Sequence, residues 1–338
     1  MLNKIYNILY NKILVNIVIG NSKSTVYIEV LNSKGVIDSN EVIFDTAYYS
    51  NEMHKYILSY TKESPLFYIS VLDNSINQGA IPTCSKHLIG KYQDIHENEF
   101  KCFSDAWSFY TLKSDIYELE KVYKKIGIDF IFSPFVVLAN FFGDKIDSHL
   151  AIFLLVEENS MSLSVFNSGE FLFGQHIEVT NDFDSELVIE DDLEEEFELE
   201  EESIDLDDID AIDDIDELDD FGDIADLESM DDIDEFSESK DIEEELNVNE
   251  ENEDFPIQDS DGINEDYQRF SLIQSAINTF YSDEKFEGVF LENVYIADAT
   301  GVSGDLKRYL EEEMFLNVYV RHMDLPLALC EIAKMELS

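Results

Sequence analysis

The side chains of this 338-residue sequence that could bind a metal or attack an electrophile unaided are few and scattered: six histidines (54, 87, 96, 149, 176, 322) and three cysteines, Cys84, Cys102 and Cys330. No CxxC or HExxH places them at ligand spacing, and no GxxxxGK[ST], GxGxxG or GxSxG supplies a phosphate loop or a nucleophile elbow. Cys84 and His87 could be a thiol nucleophile and its base. Two neighbours in one loop are far commoner than thiol enzymes, so packing is the expected role. An odd number of isolated thiols fits small buried hydrophobes in a reducing cytoplasm. Neither of two glycines in acidic surroundings, Gly222 and Gly262, fits the calcium loop D-x-[DN]-x-[DN]-G. Phe221 stands where an acidic ligand should precede Gly222, and Ile257 occupies the first ligand place for Gly262, so no metal site is expected.

Residues 182–266 set the charge of the chain. They hold more than half of its 76 acidic residues against one basic residue, Lys240, and so carry most of the net charge of −55. From Leu206 through Ile209, Ile212, Ile215, Leu218, Phe221, Ile224, Leu227, Met230 and Ile233 to Phe236, an apolar residue recurs at every third position. On an α-helix three residues turn about 300°, so the apolar series slips about 60° at each step and leaves no lasting face. On a strand, period three throws alternate apolar residues to opposite faces. The tract is therefore expected to be a disordered acidic insertion, either a solvated linker or a docking tether for a basic partner. The rest of the chain shows no basic stripe for nucleic acid or anionic lipid. Its longest apolar run, Ala151–Val156, is far too short to span a bilayer. The expected setting is cytoplasmic, with any membrane association peripheral.

The body outside the tract is rich in β-runs. Residues 14–19 and 25–31 read as strands joined by the polar turn Gly20-Asn-Ser-Lys-Ser24, followed by a strand over 41–45, a helix over 51–61 and a strand over 66–72. Residues 107–112 read as a strand, 114–126 as a helix closing at Gly127, 129–132 as a short strand and 135–142 as a helix opened by Pro134. Residues 149–156, 161–166 and 170–179 form a meander. Beyond the tract come an amphipathic helix over 267–281, a strand over 294–297, a helix over 306–313, a strand over 316–320 and a helix over 326–336. A hairpin followed by strand–helix–strand occurs twice, which suggests two related α/β halves.

Three passages resemble the actin-like ATPase superfamily, and within it the branch of the type IV pilus assembly protein PilM and the cytoplasmic part of the type II secretion protein GspL. Val15–Tyr27 sits where that family has its first phosphate loop. Leu154–Phe173 is similar to the second phosphate hairpin, and Asn293–Leu310 to the strand, adenosine loop and helix near the C-terminus. The resemblance implies an α/β fold of two RNase H-like (actin-like) halves: residues 1–145 as the first, 146–181 and 267–338 as the second, with the acidic insertion between the last two. It also implies a nucleotide cleft formed by Gly20, Asn21, Ser22, Glu157, Ser160 and Gly301.

The departures from the family pattern bear on activity. Each phosphate hairpin of the family opens with Asp-x-Gly, the Asp handling magnesium or water and the Gly letting the backbone approach phosphate. Here Val18 stands at the first Asp, Glu157 could replace the second, and Asn159 replaces its Gly. Ala299-Thr300 takes the place of a Gly-Gly pair. The capping subdomain that would follow the second hairpin is replaced by the acidic tract. Hydrolysis needs positioned metal and donors on several sides. A degenerate, non-catalytic scaffold is therefore expected, with no cofactor, ATP being the one that vestigial loops could hold. Its expected partner is a cytoplasmic peptide of an inner-membrane assembly protein. The alternatives are a nucleotide-dependent switch with Glu157 as metal carboxylate, and an acidic interaction protein acting through 182–266.

Overall fold

The structure is a computed structural model describing residues 10–62, 64–179, 260–283, 286, 289–301 and 304–337, of which 260–264 are described by backbone alone. The acidic insertion expected over 182–266 lies outside the described residues as far as 259. The nine residues before Tyr10 do as well.

The first sheet is built on β1 (Lys12–Ile19), whose residues from Ile13 to Ile17 are at most 1% exposed. Burial on both faces explains the almost unbroken apolar run, which is the signature of a central strand rather than of a half-solvated one. β2 (Ser24–Asn32) returns antiparallel, with Lys12 opposite Leu31 and Ile19 opposite Ser24, and β3 (Gly35–Phe44) pairs antiparallel with β2. Helix α1 (Asn51–Thr61) follows. Its cap Ser50 accepts from the Met53 backbone N–H, and Met53 and Ile57, one turn apart, are its buried residues. The chain then enters β4 (Leu66–Leu72), parallel to β1.

Between β4 and the next helix the chain leaves this sheet. β5 (Gln78–Ile81), helix α2 (Lys86–Ile89), β6 (Asn98–Phe103) and β7 (Trp107–Leu112) form a small antiparallel unit. Helix α3 (Lys113–Val122) then leads back to β8 (Phe130–Phe132), parallel to β4, and helix α4 (Pro134–Phe141) and the short α5 (Gly143–Ile146) end the first half.

The second half repeats the plan. β9 (Ala151–Val156), buried throughout, pairs antiparallel with β10 (Ser160–Asn167), which pairs antiparallel with β11 (Glu170–Glu178). Helix α6 (Ser260–Tyr281) precedes β12 (Asn293–Asp298), parallel to β9. Helix α7 (Gly304–Glu312) precedes β13 (Asn317–His322), parallel to β12, and α8 (Leu325–Glu336) closes the chain.

The strand orders, β3-β2-β1-β4-β8 and β11-β10-β9-β12-β13, are the same order with the same senses: three antiparallel strands and two parallel additions. Each half is thus RNase H-like, and the two together form the actin-like α/β fold. Each half's closing helix crosses to the other half. Helix α4 packs on β9 and β10, and α8 packs on β1, β2 and β4. Phe135, Leu138, Phe142, Phe153, Tyr295 and Leu329 belong to the one core cluster that results. An ion pair to a buried carboxylate pins α8, with the partly exposed Lys334 Nζ 2.6 Å from Glu29 Oε1 on β2. At the surface Arg321 of β13 donates twice to Asp144 of α5, at 3.0 Å each, which holds the Asp144 carboxyl down at about 2.

Three expectations are corrected. The segment 78–112, assigned with the first half, extends the second sheet instead: β5 pairs with β11 at Gly174–Ala80 and Gln175–Gly79. A β-carbon on Gly174 would lie 2.6 Å from the Phe171 ring and 3.0 Å from Ala80 Cβ, so this seam closes only around glycine. Helix α6 starts at Ser260 rather than Tyr267, so the last residues counted with the acidic tract are helical. One of them, Asp266, is buried, and its carboxylate accepts from the Leu306 backbone N–H at 3.2 Å, in the first turn of α7. Finally, Cys84 and Cys102 form a disulfide, which removes Cys84 from any pairing with His87; Cys330 is the free, buried thiol among the described residues. No described helix is long and apolar enough to cross a membrane.

Candidate functional site

The carboxyl ends of β1, β9, β12 and β13 meet at one cleft, the expected place for a ligand at the strand ends of such sheets. The cleft has a volume of about 590 Å³. Gly20 ends β1 and turns the chain toward β2. Its N–H donates to Lys23 O at 2.9 Å, and a β-carbon there would lie 2.6 Å from that same oxygen and 3.0 Å from Glu158 Oε2. Glycine is required at this position because the Lys23 carbonyl of its own turn leaves no room for a β-carbon, and the Glu158 side chain of the second hairpin loop comes close as well. Asn21 N donates to Glu158 Oε2 at 2.9 Å, and the Asn21 side-chain amide donates to Asn159 Oδ1. The two loops that would straddle a polyphosphate are thus hydrogen-bonded to each other.

Further backbone donors around the cleft are engaged within the protein. Glu157 N donates to Ser160 O at 2.9 Å, and Ala299 N to Val156 O at 3.1 Å. Asp298, at the end of β12, accepts through Oδ1 from Thr300 N and Gly301 N, each at 2.9 Å. Behind the second loop, Arg269 of α6 donates to the Glu158 carbonyl at 3.3 Å while paired with Glu265 and Asp266, so its charge serves the loop's support.

Glu157 is half-buried as a residue, but its Oε1 is closed to solvent and has no hydrogen-bond partner. Burial pushes its carboxyl up to about 8, with the Ser160 hydroxyl pulling the other way. Glu41 of β3 lies on the opposite wall. Its carboxyl is raised by partial burial and then by the negative charge of Asp324, the residue that caps α8. Glu41, Glu157, Glu158 and Asp324 face a single lysine or arginine among the lining residues, Lys23. Among the described residues no cluster of His, Cys, Asp and Glu is arranged to hold a metal ion.

Of the residues expected in the cleft, Gly20, Asn21, Glu157 and Ser160 line it, while Ser22 and Gly301 lie outside its lining. Glu41, Glu158, Asn74 and Asp324 line it and were not anticipated. Glu158 could have been found as the neighbour of Glu157 in the second loop. Glu41 and Asp324 come from distant elements and carry no local signal.

The model of the family described as Domain of unknown function (DUF8341) matches residues 152–338. That of Domain of unknown function (DUF8569) matches residues 10–139. The sequence has no match among the curated proteins. Among solved structures, a Bacteroides thetaiotaomicron protein with an actin-like ATPase fold and unknown function is similar at 9% identity, covering 95% of this chain and 96% of that one, with a TM-score of 0.45. The PilM–PilN type IV pilus biogenesis complex is similar at 9% identity, covering 93% and 89%, also with a TM-score of 0.45. The Aquifex aeolicus member of the Ppx/GppA family is similar over 50% of this chain and 52% of that one, at 9% identity and a TM-score of 0.26.

Proposed function

The chain belongs to the family described as Domain of unknown function (DUF8341), and we propose that it works as a non-catalytic actin-like scaffold. Its partner is a short cytoplasmic peptide of an inner-membrane protein, in a type IV pilus, type II secretion or DNA-uptake assembly platform. The passages 15–27, 154–173 and 293–310, with their resemblance to the PilM and GspL branch, supply the choice of machine.

One observation carries the non-catalytic reading. The backbone N–H groups of Gly20, Asn21, Glu157, Ala299, Thr300 and Gly301 all donate to the protein's own carbonyls and carboxylates. A nucleotide polyphosphate is held by such donors and by cations. Here it would have to break the Asn21–Glu158 contact and enter a cleft lined by the carboxylates of Glu41, Glu158 and Asp324. Val18 offers no ligand for magnesium at the first loop, and Glu157 held near a pKa of 8 stays largely protonated at neutral pH, which is a poor metal ligand.

The test uses the whole protein and synthetic peptides copied from the cytoplasmic segments of inner-membrane proteins encoded beside its gene. Titration calorimetry is expected to find one peptide that binds with an affinity unchanged by Mg-ATP. Binding that requires Mg-ATP would overturn the reading in favour of a nucleotide-dependent switch.

A further inference from the structure

We infer that Cys84 and Cys102 form a reversible thiol–disulfide exchange site for a small-molecule thiol of the glutathione class, with Cys102 as the sulfur attacked. The inference goes beyond the scaffold reading and takes from it only the cytoplasmic setting. In that compartment most thiols are kept reduced, and a cysteine pair able to close is as a rule catalytic or redox-sensing.

The topology brings the two residues together. β5 and β6 flank β7, and Ile81 and Cys102 both pair with Ser108. Cys84 lies just beyond Ile81, and its Cα is 5.3 Å from that of Cys102, within reach of the bond. The bond therefore ties the two strands that flank β7 to each other near the start of that strand.

Three observations separate an exchange site from a plain staple. The first is access. β6 is the last strand of its sheet and Cys102 is exposed on it, while Cys84 is half-buried. An exposed disulfide is the kind that an external thiolate reaches. The second is a place for the reduced state. Cys84 Sγ lies 3.2 Å from the Trp107 carbonyl oxygen. A disulfide sulfur has no proton to donate, but a Cys84 thiol finds this acceptor already in position. The third is the surroundings. Both cysteines line a cavity of about 350 Å³ together with Lys86 and Lys113. Lys113 is held there by donating to the Ile95 and His96 carbonyls at 3.2 and 2.8 Å. The two ammonium groups attract the carboxylates of a glutathione-class thiol and favour the thiolates that exchange produces.

The exchange proceeds in two steps. The small thiolate attacks Cys102 Sγ, and a mixed disulfide forms as the Cys84–Cys102 bond breaks. The electron pair leaves on Cys84, which takes a proton from water and donates to Trp107. A second small thiolate then attacks the small molecule's sulfur in the mixed disulfide, releasing the small disulfide and leaving Cys102 as a thiolate. Two electrons pass from two small thiols to the protein, and the small disulfide reverses both steps. The change is local: β6 and the turn after β5 are released from each other, while the ladders of β5, β6 and β7 remain.

The test exposes the whole protein, without denaturant, to reduced and then oxidised glutathione, followed by acid quenching, alkylation and mass spectrometry with peptide mapping. The bonded pair and two alkylatable thiols are expected to interconvert reversibly. In oxidised glutathione, Cys84→Ser is expected to gain one glutathionyl group on Cys102 at least about tenfold faster than Cys102→Ser gains one on Cys84. A bond that opens only after urea is added would overturn the exchange site and leave a structural staple. A pair that never closes in oxidised glutathione would overturn the pairing itself, and equal rates for the two variants would overturn Cys102 as the point of attack. The wild-type measurement needs no substitution, so it decides even if a variant fails to fold. Peptide binding, followed by calorimetry on the same samples, reports separately. Its absence would count against the scaffold reading alone, so the two failures are distinguishable.

Discussion

Glu157 is the residue on which the chemistry of the cleft turns, and its titration is measurable. Its carboxyl keeps its proton up to about pH 8 in the folded protein but releases it near 4.5 in the unfolded chain. Between those values the unfolded state binds fewer protons, so this residue lowers stability as pH rises, with a slope of up to about 1.4 kcal/mol per pH unit. Glu157→Gln removes the effect. Urea unfolding at pH 5 and pH 8 should show the variant gaining on the wild type at the higher pH; a difference independent of pH would contradict the assignment. His176 works in the opposite sense. Burial pushes its ring down to about 4, and its Nδ1 is 2.8 Å from the Ser162 hydroxyl. It contributes stability that is present above about pH 6.5 and lost as pH falls toward 4, and His176→Gln should flatten that acid limb. At this scale the sequence was legible where a family loop could be laid over it, as at Gly20 and Glu157. It was silent at Glu41 and Asp324, because the topology alone brings β3 and α8 to the same cleft.

Helix α8 shows what holds an element that must cross from one half to the other. Its apolar residues Leu329, Cys330, Ile332 and Ala333 are buried, and Lys334 reaches Glu29 on β2, which is 3% exposed. Lys334→Ala would leave that carboxylate buried without its cation, which costs about 3 kcal/mol. Replacing both residues by methionine should recover most of the loss, as read from thermal melts. If the single variant melts with the wild type, the pair does not anchor the helix. The small β5–β7 unit has a different tie. The disulfide Cys84–Cys102 closes a loop with a sequence separation of 18, worth about 3 kcal/mol by the chain-entropy estimate. Reductant, or Cys84→Ser with Cys102→Ser, should lower stability by about that amount, and unchanged melts would show that the thiols are not paired in solution. Most strands and helices of both halves were readable from their apolar periodicity and turn residues, but β5, which reads as a Gly- and Pro-containing loop, and β6 were not. The destination of the β5–β7 unit was not, since its pairing with β11 depends on one glycine seam at Gly174. The true start of α6 was hidden for a related reason. In the sequence Glu265 and Asp266 look like more of the acidic tract. In the fold both pair with Arg269, and Asp266 also accepts from the first turn of α7.

The whole molecule keeps the actin-like frame, two sheets of one strand order with their closing helices exchanged, and changes what lies between them. In a nucleotide-binding member of this fold the ligand's phosphates would lie between the two hairpin loops. Here Asn21, Glu158 and Asn159 join the loops directly, and carboxylates line the space. Two related α/β halves could be inferred from a repeated hairpin and strand–helix–strand pattern, and their actin-like character from the resemblance of residues 15–27, 154–173 and 293–310. The departures at Val18 and Asn159 were visible in the sequence; the hydrogen bonds between the two loops were not, because they join residues from opposite halves. A thermal shift with Mg-ATP tests the central claim most directly. The account predicts no change in melting temperature up to millimolar nucleotide, for the wild type and for Asn21→Ala alike. A stabilisation that grows with ligand concentration, reaching about 2.7 kcal/mol at a hundredfold excess over Kd, would contradict it.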